Sequence, residues 1–396
     1  LEYFRKAVDR GKELESDWQQ GFFRYSRSYP EQAEEFRLRM SGELPKSWDA
    51  GLHDIFPGKP AMSTRKASET VLQVLSKNIP SLVGGSADLN PSTLTWMKDC
   101  GDFEHPGQCA RDVQGTVGAC WGYEGRNIHY GVREHAMAAI TLGLALHDGI
   151  LPYCSTFLTF SDYMKPSIRL ACLSRARAIY VFTHDSIGVG EDGPTHQPIE
   201  HLMGLRGIPH LDVIRPSDAE ETIFAWKSAL LRNDGPTAIV LTRQDVAFVD
   251  RKKCAPAREL ERGGYTLWES NASLPDVILI SSGSEVSLAL EAGRLLARDG
   301  IAVRVVAMPC WEIFDRQCAE YRESVLPAGV RARVAVEAGL RLGWEHYVGL
   351  DGAIVGMDAF GASAPAAVLF ERFGITVEAV VRAAREILTR KTKKKG

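Results

Sequence analysis

The sequence predicts an α/β protein with two doubly wound domains of mainly parallel sheet, preceded by a helical linker. Continuous apolar runs rich in β-branched residues, such as ARAIYVFTH and TAIVLT, are typical of strands covered on both faces of a parallel sheet. Helical segments alternate with these runs, as right-handed crossovers between parallel strands require. The later segment DVILISSGSEVSLALEAGRLLARDGIAVRVVAMP has the order strand, helix, strand, which indicates a second such domain.

The linker is predicted to cover residues 1–57, which are charged and poor in β-branched residues. Two helices are expected, the second beginning at Pro30, because proline suits the first turn of a helix. Gly42 fits the end of that helix, and Phe36 and Met40 are expected to face inward because they lie four residues apart. The chain begins in a charged stretch without an initiator methionine, so we expect it to be the later part of a longer protein.

The two domains are predicted to cover residues 58–254 and 255–396. In the first, TRKASETVLQVLSKNI predicts an amphipathic helix, and REHAMAAITLGLALHDG predicts a helix that is apolar on nearly every face and is therefore buried. In the second, Ser282 is expected to cap a helix rather than bind an anion, and Gly300 is expected to end it. A further strand in RARVAVEAG and a final helix in VEAVVRAAREILTR complete this domain.

Composition limits the classes of function. The net charge of −3 over 396 residues provides no basic field, so nucleic acid is not an expected partner. No apolar run reaches the roughly 18 residues that a membrane span needs, so we expect no membrane contact. Eight cysteines occur without metal-ligand spacing, which favours reduced thiols and a cytoplasmic location.

Residues 188–193 read Gly-Val-Gly-Glu-Asp-Gly after a predicted strand, which is the spacing of a dinucleotide-binding loop. In such a loop the pyrophosphate lies on the N-terminus of a helix that opens there. Glu191 and Asp192 would repel the pyrophosphate, and Pro194 and Pro198 prevent a long helix from following directly. We therefore do not expect a dinucleotide at this loop.

Read as a whole, the stretch THDSIGVGEDGPTHQPIEHL resembles the transketolase signature. The segments STRKASE, LVGGSADLNPSTLT, IHYGVREHAMAAI, STFLTFSDYM, LTRQ and FGASAPA resemble further blocks of that family, in the family's order. Related thiamine enzymes, such as deoxyxylulose phosphate synthase, share only looser forms. The resemblance implies the linker, the pyrimidine-binding domain and the C-terminal domain of the family. The Gly-Asp-Gly motif of its N-terminal diphosphate-binding domain, with the downstream Asn, is absent from this sequence.

The resemblance implies transfer of a two-carbon ketol unit from a ketose phosphate to an aldose phosphate, through a thiamine diphosphate ylide, in the pentose phosphate pathway. It also implies a homodimer with the cofactor between two subunits. The Mg²⁺ or Ca²⁺ ligands are expected on the diphosphate-binding domain, and none in this chain. Two alternatives stay open. In the first alternative the chain is a subunit of a split transketolase that needs a separate diphosphate-binding chain. In the second it is a catalytically silent dimerising interaction protein.

Glu134 and His196 are the candidate catalytic residues. Thiamine chemistry needs a carboxyl group bonded to the cofactor's pyrimidine ring, and the resemblance assigns this role to Glu134. It lies at the start of an apolar helix, where an unpaired carboxylate is costly. A helix cap or an ion pair with Arg133 is the alternative role. His196 is expected near the reacting carbon, because histidine exchanges protons near neutral pH.

The remaining candidates match binding positions of the family. Phe157, Phe160 and Tyr163 lie three residues apart, on one face of a helical turn, and are expected to hold the pyrimidine ring. An ordinary core stripe is the alternative for these aromatic residues. Asp88 is expected near the cofactor at the subunit interface. The expected substrate-binding residues are Arg65, Ser92, His184, Asp192, His196 and Arg243. The arginines suit a sugar phosphate because a guanidinium pairs with phosphate oxygens; surface ion pairs are their alternative role.

Overall fold

The chain folds into two α/β units that follow a pair of helices. The structure is a computed structural model, and it describes residues 1–56, 61–108, 121–271 and 274–393. The predicted boundary between residues 57 and 58 lies outside the described residues. The boundary between residues 254 and 255 falls in the connection between the two sheets and stays a prediction.

The N-terminal pair consists of α1 (Glu2–Ser28) and α2 (Pro30–Ser41). Helix α2 begins at proline and is followed by Gly42, whose φ of 70° is the left-handed conformation that ends a helix. No residue of α1 is buried, and in α2 only Ala33 is. The pair therefore lies on the outside of the two sheets.

Two side chains of α2 do not face inward as predicted. Phe36 and Met40 are 40% and 44% exposed. Phe36 packs against α1 instead, with its ring centroid 5.4 Å from that of Phe22. Phe36 is thus covered in part, but the surface that α2 contacts there belongs to the exposed helix α1 and not to a domain core.

The first sheet contains eight strands among the described residues, and every pair of neighbours is parallel. In chain order the strands are β1 (Leu82–Ser86), β2 (Asp102–Phe103), β3 (Trp121–Gly122), β4 (Asn127–His129), β5 (Leu151–Phe157), β6 (Ile179–Thr183), β7 (Asp212–Ile214) and β8 (Thr237–Val240). In space their order is β3-β2-β4-β1-β5-β6-β8-β7. The central strands β5, β6 and β8 are entirely buried, as their apolar sequences predict.

Helices cover both faces of this sheet. They are α3 (Thr64–Asn78), α4 (Asn90–Thr93), α5 (Glu134–His147), α6 (Lys165–Leu173), α7 (His201–Arg206) and α8 (Ala219–Leu231). Leu72 and Trp226 belong to the core on one face, with α3 and α8, whereas Met137 and Ile168 belong to the core on the other, with α5 and α6. The predicted doubly wound arrangement is therefore confirmed for this unit.

The prediction that α5 is buried on nearly every face was wrong. It buries Met137, Ala138, Thr141 and Ala145, but Ile140 and Leu146 are 48% and 54% exposed. The sheet covers only one side of the helix, and no other element among the described residues packs over the opposite side. An apolar helix in a sequence indicates that the helix is covered, but not which chain covers it.

Among the described residues the second sheet has five strands in the order β13-β12-β10-β11-β9, of which only β9 runs antiparallel to its neighbour. The strands are β9 (Tyr265–Glu269), β10 (Val277–Ser281), β11 (Val303–Ala307), β12 (Arg333–Leu340) and β13 (Ala353–Met357). The helices are α9 (Val286–Arg298), α10 (Trp311–Asp315), α11 (Ala319–Val325), α12 (Glu345–Val348), α13 (Ala366–Arg372) and α14 (Val377–Lys393). The mainly parallel second domain is confirmed. Across the described ranges, none of the helices has the length and apolar character to cross a bilayer.

Candidate functional site

The candidate site lies along one edge of the first sheet, where four neighbouring parallel strands end. Asp88 follows β1, Phe157 is the last residue of β5, His184 follows β6, and Arg243 lies three residues beyond β8. These four strands are adjacent in the order β1-β5-β6-β8. The carboxyl edge of an open parallel sheet is where ligands of α/β proteins bind. The topology thus brings together residues that are far apart in the sequence.

Three aromatic side chains form a stepped surface beyond β5. Residues 158–163 form a 3-10 helix, in which residues three apart lie above one another because the helix has about three residues per turn. The Phe157 and Phe160 rings are 5.9 Å apart and inclined by 15°, and Phe160 lies 6.3 Å from Tyr163. Phe157 is buried, Phe160 half-buried and Tyr163 62% exposed. The two outer rings are therefore accessible to a ligand from solvent.

Both predicted histidines contact this aromatic surface. The His184 ring stacks on Phe157 with centroids 3.7 Å apart, and its Nδ1 hydrogen-bonds with the Thr183 hydroxyl at 2.7 Å. The half-buried His196 ring meets Phe160 edge-on at 5.5 Å, and its Nδ1 lies 2.9 Å from the Thr195 hydroxyl. Each hydrogen bond occupies Nδ1, so in both rings Nε2 is the nitrogen left for a substrate atom.

Burial and positive charge act together on His184. This residue is 4% exposed, and burial is the main cause that lowers its pKa to about 3. The charges of Arg65, Arg243 and His196 lower the pKa further. His184 is therefore neutral at physiological pH and adds no positive charge to the two guanidinium groups.

Arg65 and Arg243 form a cationic pair at the same edge. Burial lowers the pKa of Arg65, and the positive charge of Arg243 lowers it further. A guanidinium nitrogen of Arg65 donates to the carbonyl oxygen of Ser92, whereas its buried Nε has no hydrogen-bond partner. Within the described parts of the chain, neither arginine forms an ion pair with a carboxylate. The charge of Asp245 acts on Arg65 in the opposite direction and offsets part of this effect. Two close cations without a direct ion pair are an arrangement that an anion stabilises.

Three predicted residues stay apart from this cluster. Glu134 is half-buried at the first position of α5, and neither a cap nor an ion pair with Arg133 engages it among the side chains described. Asp192 is exposed on the loop that carries His196. Asp88 is exposed beyond β1, with a left-handed φ of 61°, and its charge acts on the nearby His129. The structure gives no direct contact between these carboxylates and the aromatic surface.

A segment of the second domain forms hydrogen bonds with the loop of residues 184–200. This contact was not predicted from the sequence. The Gln197 side chain donates to the carbonyl oxygens of Gly190 and Ala362, at 2.8 and 2.9 Å. The Ser363 hydroxyl donates to the carbonyl of Glu191. The FGASAPA block thus lies directly against the candidate site.

Sequence reasoning also missed a buried ion-pair network behind the loop. Arg215, fully buried after β7, donates to Asp185 at 2.9 Å and to Glu285 at 2.5 Å. Glu337 pairs in a bidentate manner with Arg206, at 2.8 and 2.9 Å. Burial opposes the ionisation of Glu337, but the charge of Arg206, its hydrogen bonds and Arg215 outweigh burial and lower the pKa to about 2.

A signal for this network was present in the sequence. Glu337 interrupts the apolar run RVAVEAG, and a lone acid in a buried strand requires a partner. Ser282 was expected to cap a helix, yet its side chain accepts no capping hydrogen bond; its hydroxyl donates to Glu337 at 2.5 Å instead. Ser282 therefore occupies the predicted N-cap position of the short helix at residues 283–285, but its side chain does not cap it, because the buried carboxylate is the stronger acceptor.

Two groups of side chains have the spacing of metal ligands. They are the groups of Asp162, Glu200 and His201 and of Asp212, Cys310 and Glu312. In the first, Asp162 is already paired with Lys165 at 2.6 Å and with His201 at 3.0 Å. In the second, Asp212 is paired with Arg316 and Arg232. These interactions satisfy the carboxylates without an ion.

The sequence matches two family profiles. The transketolase pyrimidine-binding domain matches residues 60–248, and the transketolase-like C-terminal domain matches residues 263–376. A transketolase of Aquifex aeolicus is 47% identical over 380 residues, which cover 96% of this chain and 52% of the relative. A chloroplastic transketolase of Craterostigma plantagineum is 45% identical, over 98% of this chain and 71% of the relative. The chain thus spans about half the length of the Aquifex protein.

Solved structures agree with these relatives. A transketolase from Leishmania mexicana superposes with a TM-score of 0.86 and 45% identity, over 98% of this chain and 54% of that one. A split-gene transketolase described as an inactive β4 tetramer superposes with a TM-score of 0.64 and 25% identity, over 83% of this chain and 99% of that one. The order of the motifs, the two sheets and these matches lead to one conclusion: the chain belongs to the transketolase family.

Proposed function

We propose that this chain is the pyrimidine-binding and C-terminal part of a transketolase. Together with a diphosphate-binding domain it transfers a two-carbon ketol unit from a ketose phosphate to an aldose phosphate. The observation that carries the proposal is the pair of Arg65 and Arg243, which forms no ion pair with a carboxylate among the described residues and acts electrostatically on the neutral His184. Family membership implies dependence on thiamine diphosphate.

The residues present fit the pyrimidine end of that cofactor. The Phe160 and Tyr163 rings are accessible from solvent, and stacking on an aromatic ring contributes about 0.5–1.5 kcal/mol beyond area burial. Glu134 is half-buried and free of a cap or an Arg133 pair, so its carboxyl group is available to a ring nitrogen. Asp88 is proposed to lie near the cofactor at the subunit interface. The bound cofactor supplies the nucleophilic carbon and the electron sink for breaking the carbon–carbon bond.

The substrate-binding residues are proposed to hold the sugar phosphate along the strand-end edge. Arg65 and Arg243 pair with phosphate oxygens, with Ser92 beside Arg65. The neutral His184 offers Nε2 to the phosphate or to a neighbouring hydroxyl. Asp192, exposed on its loop, hydrogen-bonds a sugar hydroxyl and discriminates between stereoisomers.

His196 is proposed to move the proton of the reaction. Its Nδ1 is engaged by the Thr195 hydroxyl, and contact with Phe160 holds the ring edge-on to the aromatic surface. In this proposal the free Nε2 takes up the hydroxyl proton beside the breaking bond when the ring is neutral, and polarises the ketose carbonyl when Nε2 carries a proton. General acid–base catalysis of this kind contributes about 10²- to 10⁴-fold to a rate.

Pathway, metal and assembly follow from the family in this proposal. The reaction belongs to the pentose phosphate pathway in the cytoplasm, and Mg²⁺ or Ca²⁺ is bound by the diphosphate-binding domain. A homodimer is proposed because Ile140 and Leu146 expose an apolar face on the helix that begins at Glu134. Covering that face would also bury the surroundings of the carboxylate.

A split enzyme is the second candidate function. The split-gene transketolase chain is matched over 99% of its length, so a chain of this extent occurs as a separate polypeptide in that protein. On this alternative the diphosphate-binding domain is another chain. A catalytically silent dimerising protein is the remaining alternative, and it predicts no turnover in any mixture.

Ketol transfer from xylulose 5-phosphate to ribose 5-phosphate, with thiamine diphosphate and Mg²⁺, tests these candidates. The chain is assayed alone and with a separately supplied diphosphate-binding domain. We expect activity only in the mixture. The Arg243→Leu variant should raise KM for the phosphorylated donor roughly 10-fold or more, since a charge-assisted hydrogen bond contributes about 1.5–3 kcal/mol.

The matched control substitutes an exposed arginine of the second domain, Arg331, which pairs with Asp351 at 2.9 Å. Arg331→Leu should leave KM unchanged. A folded chain without activity in every mixture would exclude the enzymatic proposal and leave the silent protein. Equal effects of the two arginine variants would exclude the proposed phosphate site.

A further inference from the structure

The loop of residues 184–200 is held in place by hydrogen bonds to the second domain as well as by its own. Gln197 is 2% exposed, and its side-chain nitrogen donates to two carbonyl oxygens. One belongs to Gly190 in the same loop, at 2.8 Å, and the other to Ala362 of the second domain, at 2.9 Å. Only the amide nitrogen can face two carbonyl oxygens, so the chemistry fixes the orientation of the side chain.

The second domain is shaped to receive this side chain. A Cβ atom added to Gly361 would lie 1.7 Å from Oε1 of Gln197, so only glycine allows this approach. Two residues on, the Ser363 hydroxyl donates to the carbonyl of Glu191. Residues 361–363 therefore hold the loop at two points, one on each side of Asp192 and His196 along the chain.

The residues between these points include two side chains of the proposed substrate site, Asp192 and His196. Asp192 follows the carbonyl that Ser363 holds, and His196 directly precedes Gln197. The loop's own hydrogen bonds, from the amides of His196 and Gln197 to the carbonyl of Gly193, are 3.0 and 3.1 Å long. They close a turn. Gln197 and Ser363 tie the residues around this turn to the second domain by side-chain hydrogen bonds, and the amide of Leu340 holds the far end of the loop by donating to the carbonyl of Ile199 at 2.9 Å.

We propose that Gln197 is a positioning residue for ketol transfer, which fixes Asp192 and His196 by joining their loop to residues 361–363. The inference rests on the proposed function and gives the second domain a part in the reaction without contact with the substrate. Gln197 itself faces two backbone carbonyls and so does not touch the reacting atoms. Misplacing a catalytic group by about 1 Å can lower a rate about 10²-fold.

Two variants disturb the contact between Gln197 and residues 361–363, one from the loop and one from the second domain. Gln197→Met keeps the length of the side chain and removes both donors, leaving two carbonyl oxygens without their partner. Gly361→Ala changes no residue of the loop but forces the Gln197 side chain to move. The control is Gln73→Met, because Gln73 also donates to two carbonyl oxygens, those of Trp96 and Glu69, at 2.9 and 3.3 Å.

Hydrogen exchange of the full chain gives a readout that does not depend on activity. Both link variants should raise the exchange rates of the amides in residues 184–200 about 10- to 100-fold, as expected for losing partners of buried carbonyls. Exchange in β5 and β10 should stay unchanged. Gln73→Met should leave the loop unaffected. Exchange that is unaltered in the loop, or raised equally through both domains, overturns the inference.

Kinetics with the separately supplied diphosphate-binding domain complete the test. Gln197→Met and Gly361→Ala should each lower kcat about 10- to 100-fold, and Gln73→Met should not. Loss of kcat without faster loop exchange would mean that Gln197 acts on the substrate directly, which also overturns the inference. If the parent chain shows no ketol transfer in any mixture, the proposed function fails, and the exchange data alone decide whether Gln197 fixes the loop.

Discussion

At the scale of single residues, His184 shows how neighbours set the chemistry of a side chain. Its ring stacks on Phe157, and burial, followed by the charges of Arg65, Arg243 and His196, lowers its pKa to about 3. A protonated histidine here would add a third positive charge to the site. The neutral ring instead offers a hydrogen bond and leaves the phosphate to the two arginines.

We predict that phosphate binding raises the pKa of His184. A bound anion compensates the arginine charges that disfavour the imidazolium, while burial still opposes it. NMR titration of the histidine rings should show no protonation of His184 above about pH 4 in the free chain. An added sugar phosphate should shift its titration upward, and the exposed His53 serves as the internal reference. An unchanged titration at a saturating phosphate concentration would contradict a phosphate site beside His184.

The lowered pKa of His184 also predicts an acid-dependent stability. The ordinary value is 6.5 and the folded value about 3, so the unfolded chain binds the proton first as pH falls. The contribution of this residue to the free energy of unfolding is therefore complete above about pH 6.5. It is lost progressively toward pH 3.

Denaturant unfolding of the parent chain and of His184→Asn measures this effect. The parent should lose more stability than the variant between pH 6.5 and pH 4, because the variant has no proton to take up at this site. The same slope in both proteins would show that His184 is not the group responsible. His53→Asn is the matched control, since His53 is exposed.

At the scale of elements, buried ion pairs connect the strand ends of the first sheet with residues of the second domain. Arg215 follows β7, Asp185 follows β6, and Glu285 and Glu337 come from the second domain. Arg215 contacts all three carboxylates, the last at 3.8 Å. Because Asp185 directly follows His184, the network supports the start of the same loop that Gln197 holds at its end.

We predict that Arg215→Met destabilises the chain strongly. Removing one member of a buried ion-pair network leaves the other charges uncompensated, which costs about 3–5 kcal/mol. Chemical denaturation should show this loss. Arg385→Met is the control, because Arg385 pairs with Asp299 on the surface, and such pairs contribute about 0–1 kcal/mol. Equal losses in the two variants would contradict the special role of the buried network.

At the scale of the whole molecule, one side of α5 is left exposed by the part of the chain that the structure describes. Ile140 and Leu146 are exposed there, and Val132, just before the helix, is 75% exposed. The face adjoins Glu134, the proposed contact of the cofactor's pyrimidine ring. A contiguous exposed apolar face of this kind marks a contact with another protein chain. The proposed homodimer would cover it with a second copy.

We predict that Ile140→Glu weakens self-association of the chain. A carboxylate in an apolar interface loses hydration without gaining a partner, which disfavours association. Sedimentation velocity should show the parent as a dimer or larger and the variant shifted toward monomer. Leu274→Glu is the control, because Leu274 is 66% exposed in the second domain, far from α5 in the sequence. A monomeric parent would contradict the homodimer proposal.

Much of the architecture was determined by local sequence. Apolar β-branched runs indicated the parallel strands, Pro30 and Gly42 marked the limits of α2, and the prolines after residue 193 argued against a nucleotide-binding helix. These features succeed because strand burial, helix ends and proline act within a few residues. The residue motifs indicated the family, and the matches with known transketolases bear out that resemblance.

Only the tertiary structure decided which residues meet. His184, Phe157 and Arg243 come from the ends of three strands, and parallel topology alone makes them neighbours. The link from Gln197 to Ala362 spans 165 positions, and neither residue carries a local pattern that names its partner. The exposed side of α5 was misjudged for the same reason. Periodicity reports that a surface is apolar, whereas the partner that covers it is set by the packing of distant elements or of another chain.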